Sequence, residues 1–373
     1  MTLQGHYDII KVANYTFLPF SRGGDIIKKI MKYALNIGLI LVITLFTLHL
    51  IFKEQELHEI IHDLKGADPG WIAIGACAAV LFVAGESSII HYMLRVLDQK
   101  TSFLKCLKYS FIGFFFSYIT PSSTGGQPMQ MYHMKKDKIK IGYSTLIMLL
   151  ITIAYKSVLV LMALGFLIFN HDVVAQYAGD MKWLIVLGFV LNLSFIAALL
   201  LIFIKPIWAR ALGIKVVDLL TKIRIMKRKN KEKYTEKLIR ICDTYAMGAD
   251  YIKRNLSVVF NVFLITAVQR ICLFSVTWIV YRSYGLSSTR FIDILTLQIM
   301  IGVAVEMLPL PGAAGISEGC FLLAFTEIFG MELVKPALLI SRGLTFYLIL
   351  LLGAGVTFAV HIIGIKRDKK QSE

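Results

Sequence analysis

An apolar run that stops in a cluster of helix breakers occurs twice in this chain and decides its fold. Residues 106–128 read CLKYSFIGFFFSYITPSSTGGQP, an apolar stretch that ends in prolines and glycines. Residues 289–308 are also apolar, and they run into PLPGAAGISEG at 309–319. Proline removes a backbone donor, and glycine permits turns that other residues resist. Because another short segment follows each cluster, both patterns predict a re-entrant hairpin of two half-helices, which is tolerated at membrane depth where protein or water covers it.

The composition indicates a membrane protein. The chain has 373 residues, of which 57% are hydrophobic and 17% are charged. Soluble domains are about 45–50% apolar and about 25% charged. We therefore expect an all-α polytopic membrane protein, which excludes a cytosolic enzyme, a secreted disulfide domain and a disordered chain. The five cysteines are scattered without a CxxC motif, so we expect small buried side chains rather than ligands.

The apolar runs predict six spanning helices in addition to the two hairpins. A bilayer requires about 20 apolar residues for each spanning helix. The predicted spans are 33–52, 71–95, 143–170, 183–204, 257–281 and 336–363, and the predicted hairpins are 106–134 and 289–329.

The basic residues favour a hairpin over a single crossing at 106–134. A single crossing would put four lysines outside the cell, namely Lys135, Lys136, Lys138 and Lys140. A hairpin keeps them on the cytoplasmic side with the other basic loops, as the positive-inside rule requires. The same counting places both termini in the cytoplasm.

The two halves of the chain share one plan. In each, a long helix leads into a half-helix and a breaker, and another half-helix and a long helix follow. Each half has three spans, an odd number, so the second is predicted to be inverted relative to the first, as in many transporters. The predicted parts are a cytoplasmic segment 1–32, a first repeat 33–170, a second repeat 183–363 with a cytoplasmic insertion 205–256, and a cytoplasmic tail 364–373.

The positive charge of the chain indicates contact with anionic lipid. The net charge is +16, and we expect the insertion to be an amphipathic helix near anionic headgroups. No zinc-finger spacing or aromatic-rich basic strand supports nucleic-acid binding. The sequence also has no P-loop and no GxSxG motif, so we expect no nucleotide and no other cofactor.

Several short motifs together resemble a known family, the flippase-like transmembrane domain of the lysylphosphatidylglycerol synthases, which is the membrane half of the multiple peptide resistance factor. The resemblance covers about residues 30–365. The motifs are Gly66–Trp71, Thr120-Pro121 with Gly125-Gly126, Leu310-Pro311-Gly312 through Gly315 and Glu318, and Arg342.

The resemblance implies a role in antibiotic resistance through movement of phospholipid, especially aminoacylated phosphatidylglycerol, from the inner to the outer leaflet of a bacterial plasma membrane. It also implies that homodimers can form.

Two departures from the family pattern matter. The sequence ends at Glu373 without the soluble aminoacyl-transferase domain, so we expect a flippase rather than a phosphatidylglycerol lysyltransferase. In addition, Tyr155-Lys156 stands where relatives often have a Glu-Arg pair, so the resemblance does not fix which headgroup is moved.

Six charged side chains are predicted to lie inside the apolar segments, where charge is costly and usually faces the helix bundle. They are Glu86, Lys156, Arg270, Glu306, Glu318 and Arg342. Two interpretations stay open: ion pairs that hold helices together, or a polar path for a lipid headgroup. On such a path, the cations would offset the negative charge of a phosphate. The planar guanidinium of arginine suits this role because it can bind two phosphate oxygens. The carboxylates would receive an amine or a proton.

The two breaker loops supply the other predicted substrate-binding residues. Half-helices that begin near Ser122 and Gly312 would point N–H groups at an anion, and the glycines permit close approach or, alternatively, tight hairpin packing. The predicted residues are Pro121, Ser122, Ser123, Thr124, Gly125, Gly126, Gln127, Pro311, Gly312, Gly315 and Ser317.

Two alternatives come from other classes of function. The same hairpins would suit a transporter of small water-soluble anions, for which we expect a closed aqueous cavity rather than a lateral opening to lipid. A zinc peptidase is the other alternative, because His58, Glu59 and His62 fit the HExxH pattern. That motif lies in a short connector without an obvious third ligand, so we expect an interfacial helix there and no metal.

Overall fold

The structure is a computed structural model that describes residues 66–120, 123–222, 231–308, 313 and 315–370. All regular secondary structure within these residues is helical. Several predictions lie outside them: the first span 33–52, the HExxH motif at 58–62, and the loop residues Pro121, Ser122, Pro311 and Gly312.

Twelve α-helices make up the described chain, with one 3₁₀ turn before α6 and one π-helical turn before α12. The helices are α1 Pro69–Val96, α2 Phe103–Tyr118, α3 Gly126–Lys136, α4 Ile141–Phe169, α5 His171–Ala178, α6 Lys182–Ile204, α7 Pro206–Lys222, α8 Lys231–Arg254, α9 Leu256–Ser283, α10 Phe291–Val305, α11 Ile316–Arg342 and α12 Leu348–Lys370.

Five helical stretches among the described residues are long and apolar enough to cross a membrane, and each overlaps one of the predicted spans. They are Pro69–Val96, Ile141–Phe169, His171–Ile204, Leu256–Ser283 and Ile316–Ile362. The third is longer than predicted because the expected loop 171–182 is itself helical, forming α5 and the 3₁₀ turn Gly179–Met181.

Each breaker separates two helices, but the second helix begins later than predicted. The helix α3 begins at Gly126 rather than near Ser122, and α11 begins at Ile316 rather than near Gly312. In the first breaker, the N–H of Gly125 donates to Thr120 Oγ1 at 2.8 Å, and Ser123 has φ +53°. In the second, Gly315 has φ +88°. These left-handed residues hold a turn that cannot be part of a helix.

A second backbone break divides α11. Gly330 has φ +81° and ψ 160° inside this helix, a conformation that glycine adopts without steric cost. The helical segment 316–329 is therefore separate from the segment that starts at 331, as the sequence predicts. The chain then runs through the π-helical turn Gly343–Tyr347 into α12.

Packing joins the first and second halves of the chain. The most extensive contact between described helices is that of α1 with α9, where a Cβ added to Gly85 would lie 2.9 Å from Gln269 Cβ. The helix α2 packs against α12, and α10 packs against α4. One buried core surrounds α10 and α11, and another surrounds the first half of α4 and the end of α1.

In the described part of the predicted insertion, two helices pack against each other, α7 and α8. The helix α8 also packs closely on the start of α4, where a Cβ on Gly142 would lie 2.7 Å from the Ile241 carbonyl oxygen. The cysteines are free, but the prediction that they are buried holds for Cys106 and Cys320 and is wrong for Cys77, which is exposed on the apolar helix α1.

Candidate functional site

A cavity of about 740 Å³ lies between the two halves of the chain. Residues of α1, α2, α3, α4, α6, α9, α10 and α11 line it, together with both breakers and the π-helical turn. Its polar lining residues are Glu86, Ser117, Tyr118, Ser123, Thr124, Gln127, Gln130, Thr152, Tyr155, Lys156, Thr277, Gln298, Glu306, Ser317, Ser341, Arg342 and Thr345.

Glu306 is the centre of a charged cluster on one wall of the cavity. It follows the last residue of α10, and its Oε2 accepts from Lys156 Nζ of α4 and from Arg270 Nη2 of α9, both at 3.0 Å. Arg270 Nη1 donates to the other oxygen, Oε1. Such a bidentate contact is among the strongest hydrogen-bond arrangements in proteins. We call Glu306, Lys156, Arg270 and Tyr155 the Glu306 cluster.

Tyr155 completes this cluster by holding the arginine in place. The guanidinium of Arg270 stacks over the Tyr155 ring at 3.4 Å from its centroid. Arg270 Nη2 also donates to the Tyr155 carbonyl at 3.1 Å. Arg270 is fully buried and does not line the cavity, whereas Lys156 and Glu306 do. The arginine therefore acts from behind the wall, and the lysine is at its surface.

A second ion pair joins the first turn of α11 to the last residue of the same helix, across the break at Gly330. Arg342 Nε lies 2.7 Å from Glu318 Oε1, and Glu318 Oε2 accepts from the Gly315 N–H at 2.7 Å. The carboxylate thus caps the start of α11 and holds Arg342 at the same time. Arg342 lines the cavity, whereas Glu318 does not.

Glu86 differs from both of these carboxylates. Its Oε1 accepts from Gln130 Nε2 at 2.5 Å, and no basic side chain of the described chain lies within ion-pair distance. Gln130 fits there because residue 113 is glycine, where a Cβ would overlap the amide. The side chain of Glu86 lines the cavity, so this wall carries a carboxylate without a cation from the described residues.

Polar side chains of the first breaker lie where the cavity lining is most exposed. Ser123, Thr124 and Gln127 are exposed, and so is Phe195 of α6; the other lining residues are buried or partly buried. The side-chain amide of Gln127 donates to the Thr152 hydroxyl of α4. The cavity is therefore most open between the first breaker and α6.

The structure brings most of the described predicted residues to the cavity, but not all of them. Glu86, Ser123, Thr124, Gln127, Lys156, Glu306, Ser317 and Arg342 line it. Arg270 and Glu318 contact it only through their ion-pair partners. Gly125, Gly126 and Gly315 do not line it. A Cβ on Gly126 would overlap Ser117 Oγ, which supports the alternative that this glycine permits tight hairpin packing.

Several polar lining residues were not predicted from the sequence. Gln130 follows Gln127 by three residues, and Thr152 precedes Lys156 by four, so each pair shares a helix face. Gln298 of α10 donates a hydrogen bond to the Thr277 hydroxyl of α9. Ser341 and Thr345 flank Arg342. Neutral polar residues at helical spacing from a charged residue in an apolar run were the available signal.

The π-helical turn next to Arg342 is part of the same wall. In this wider turn the Thr345 carbonyl accepts from the Tyr118 hydroxyl of α2 at 3.2 Å. The Tyr118 ring lies 4.6 Å from the Phe346 ring, and Phe346 lies under the Arg342 guanidinium. Short π-helical turns are frequent at functional sites. Here the turn connects α2 to the position of Arg342.

The described residues offer polar and charged binding groups to a ligand, but no metal centre. No group of three histidine, cysteine or acidic side chains in the described part of the chain is arranged to hold a metal ion. The cavity combines two cationic heads, two carboxylates and several hydroxyl and amide groups in a volume typical of ligand sites, about 300–1,000 Å³. It is therefore suited to a ligand with both phosphate-like and polar groups.

Comparison with known proteins gives one family. A comparison with curated proteins finds no match to the chain. A family model described as the lysylphosphatidylglycerol synthase TM region matches residues 33–353. This match covers most of the chain and includes every helix that lines the cavity. The protein therefore belongs to the family of lysylphosphatidylglycerol synthase transmembrane regions.

Proposed function

We propose that this protein is a lipid flippase whose cavity carries a phospholipid headgroup between the leaflets of a bacterial plasma membrane. The single observation that carries the proposal is that Glu86, Lys156, Glu306 and Arg342 all line one cavity among apolar helices. An isolated ion in hydrocarbon is strongly penalised. Compensating charges along the path lower this barrier for the headgroup, while the acyl chains stay in the bilayer.

The route depends on two inverted repeats with re-entrant hairpins. The helices α2, α3 and α10 have 16, 11 and 15 residues, fewer than the about 20 that a spanning helix needs. The contacts of α2 with α12 and of α10 with α4 are those expected if a twofold axis related the halves. Both termini would then be cytoplasmic, and the two hairpins would enter from opposite sides.

The openness beside the first breaker favours lipid over a small soluble anion. The exposed lining residues combine polar Ser123, Thr124 and Gln127 with apolar Phe195 of α6. A headgroup would pass the polar side, and its acyl chains would stay against the apolar side. A transporter of soluble anions has no need of an apolar rim.

The distribution of charge in the cavity indicates the kind of headgroup. Glu306 and Glu318 already have cationic partners, so Lys156 and Arg342 are held as phosphate receptors next to neutralising carboxylates. Glu86 has an amide partner and no cation among the described residues. A headgroup with a phosphate and an ammonium group, as in an aminoacylated phosphatidylglycerol, would provide an anion for Lys156 and Arg342 and a cation for Glu86.

The proposal is tested by outward lipid movement in liposomes. Purified protein is reconstituted with phosphatidylglycerol or lysylphosphatidylglycerol that carries a fluorophore on an acyl chain, and dithionite reports the fraction exposed outside. We expect Arg342→Gln to slow movement of both lipids by about tenfold or more, because a charge-assisted hydrogen bond contributes about 1.5–3 kcal/mol. We expect Glu86→Gln to slow the lysyl lipid more than phosphatidylglycerol.

A matched control removes a charge away from the cavity. Arg290 pairs with Asp293 at the start of α10, and its side chain is 71% exposed, so Arg290→Gln is expected to leave lipid movement unchanged. Unchanged movement in the Arg342→Gln protein, with a monodisperse elution profile that indicates correct folding, would contradict the proposal.

A further inference from the structure

The outer face of α7 carries a row of exposed apolar side chains. Trp208, Leu212, Val216 and Leu219 follow one another at intervals of four, four and three residues, so they lie on one face of the helix. Their side chains are between 47% and 58% exposed. We call these four residues the α7 outer face. Four large apolar side chains in a row on one exposed helix face indicate an interaction surface.

The opposite face of α7 is already used for packing. The helix contacts α8, and the two approach closely because residue 213 is glycine, where a Cβ would lie 2.8 Å from Leu238 Cδ2. The α7 outer face therefore points away from the rest of the described chain and needs a partner from outside it.

The position of α7 places this face next to the lipid-facing surface of a spanning helix. Lys253 and Tyr245 of α8 donate to the Ile204 and Ile202 carbonyls at the end of α6, at 3.1 and 3.2 Å. These bonds fix the α7–α8 pair at that end of α6. Leu201 and Ile204 of α6 are 57% and 54% exposed, so the apolar surface of α6 continues onto α7.

Two basic side chains lie beside the α7 outer face. Lys205, just before α7, and Lys215 are exposed there, whereas Arg210 and Asp218 lie farther round the helix. The segment 205–256 contains 14 lysines and arginines but five acidic residues. An exposed apolar face with flanking cations is the pattern of a helix that lies in the interface of an anionic membrane.

We propose that the α7 outer face is a docking surface for the anionic phospholipids of the leaflet in which α6 ends. The four apolar side chains enter the boundary between headgroups and acyl chains, and Lys205 and Lys215 contact lipid phosphates. The α7–α8 pair then braces the first turns of α4 against the membrane surface. This inference is independent of lipid transport by the cavity.

Fluorescence of Trp208 in full-length protein tests the docking surface. The other three tryptophans, Trp71, Trp183 and Trp278, are replaced by phenylalanine, and the protein is reconstituted in phosphatidylcholine vesicles with or without phosphatidylglycerol. We expect lipids brominated at shallow acyl positions to quench Trp208 more than lipids brominated at deep positions, and aqueous acrylamide to quench it little. We expect spin-labelled phosphatidylglycerol to quench it at least about twofold more than spin-labelled phosphatidylcholine.

Two variants complete the test. Glu236 is exposed on α8, on a polar face shared with Arg240 and Asp243, so in a Trp208→Phe protein the substitution Glu236→Trp should report strong acrylamide quenching and no bromine quenching. Replacing Lys205 and Lys215 by glutamine should remove the preference for spin-labelled phosphatidylglycerol. Strong acrylamide quenching of Trp208 without bromine quenching would overturn the proposal, and so would acrylamide protection that depends on protein concentration, which would indicate a second protein copy.

Discussion

The helices α1 and α9 each carry a charged side chain at the same crossing, but the two side chains have different partners. They cross where Gly85 of α1 meets Gln269 of α9, and each carries a charged residue directly after the crossing, Glu86 and Arg270. Three groups compensate the buried charge of Arg270: a bidentate carboxylate, a backbone carbonyl and a stacked tyrosine ring. Glu86 has a hydrogen bond from Gln130.

The difference between the two teaches which charge is structural and which is available to a ligand. A buried charge that is fully paired inside the protein stabilises the contact between its helices, and its loss leaves the partners unpaired. A carboxylate in a cavity with a neutral partner keeps capacity to accept further hydrogen bonds. The Glu306 cluster therefore connects the two halves, and Glu86 keeps the acceptor capacity that the proposed flippase would use for a headgroup.

The largest expected effect is that of removing the carboxylate from the Glu306 cluster. Glu306→Gln leaves Lys156 and Arg270 without their counterion, and breaking a buried ion pair by removing one partner costs about 3–5 kcal/mol. We expect a loss of that order in the free energy of unfolding, measured in mixed micelles. Glu86→Gln is the matched control, because it removes no ion pair of the described chain.

The comparison between α1 and α9 would be contradicted if these two variants lost equal stability. Equal losses would mean that Glu86 contributes to the fold as much as Glu306 does, and that it is not free for a ligand. A small loss for Glu86→Gln together with selective slowing of the lysyl lipid would sharpen the comparison.

An intermediate effect is expected at the crossing itself. In Gly85→Ala the new Cβ would lie 2.9 Å from Gln269 Cβ, and because that atom is next to the α9 backbone, the helices must separate. Overpacking of this kind costs about 1–3 kcal/mol. Gly165 of α4 is the control, since nothing lies within 4 Å of its added Cβ. Gly165→Ala should gain up to about 1 kcal/mol, and destabilisation of both variants alike would argue against a close crossing.

The smallest expected effect concerns Asp137, a paired acid in the turn between α3 and α4. Burial alone would raise its pKa, but hydrogen bonds from Lys108 and Tyr109 and nearby positive charge outweigh burial and lower the pKa below 3.8. A lowered pKa in the folded state stabilises the protein above the usual carboxyl pKa, and this stabilisation disappears as pH falls through the lowered value.

Asp137→Asn should therefore cost about 1 kcal/mol at neutral pH. The difference in Tm from the natural protein should stay constant down to about pH 4 and shrink in stronger acid, because the usual value is 3.8. A difference that already declines near neutral pH would show that Asp137 is not the group responsible.

Much of the fold follows from local sequence signals, and the site follows only in part. Proline and glycine clusters mark both breakers, and five predicted spans match long apolar helices. Three of the charged residues that the sequence places inside apolar segments, Lys156, Glu306 and Arg342, line the cavity. Each of these signals depends on residues near one another in the chain.

What the sequence could not supply is the choice of partner across the two halves. Glu306 lies 150 residues from Lys156, and nothing local says that Arg270 also binds it or that Glu86 receives an amide. The π-helical turn at Gly343–Tyr347 accepts a tertiary hydrogen bond from Tyr118, which is 227 residues before the accepting residue in the chain. These contacts exist only once the helices are packed.

Photocrosslinking from the lipid headgroup is the most direct test of the central claim. The reconstituted protein is irradiated with a phospholipid that carries a photoactivatable group on its headgroup amine, and the adducts are located by mass spectrometry. The account predicts adducts on cavity-lining segments of the described chain, above all around Gln130 and Lys156, with fewer adducts in the Glu86→Gln protein. Adducts confined to the outward apolar surface of α6, such as Leu187 and Val190, would contradict it.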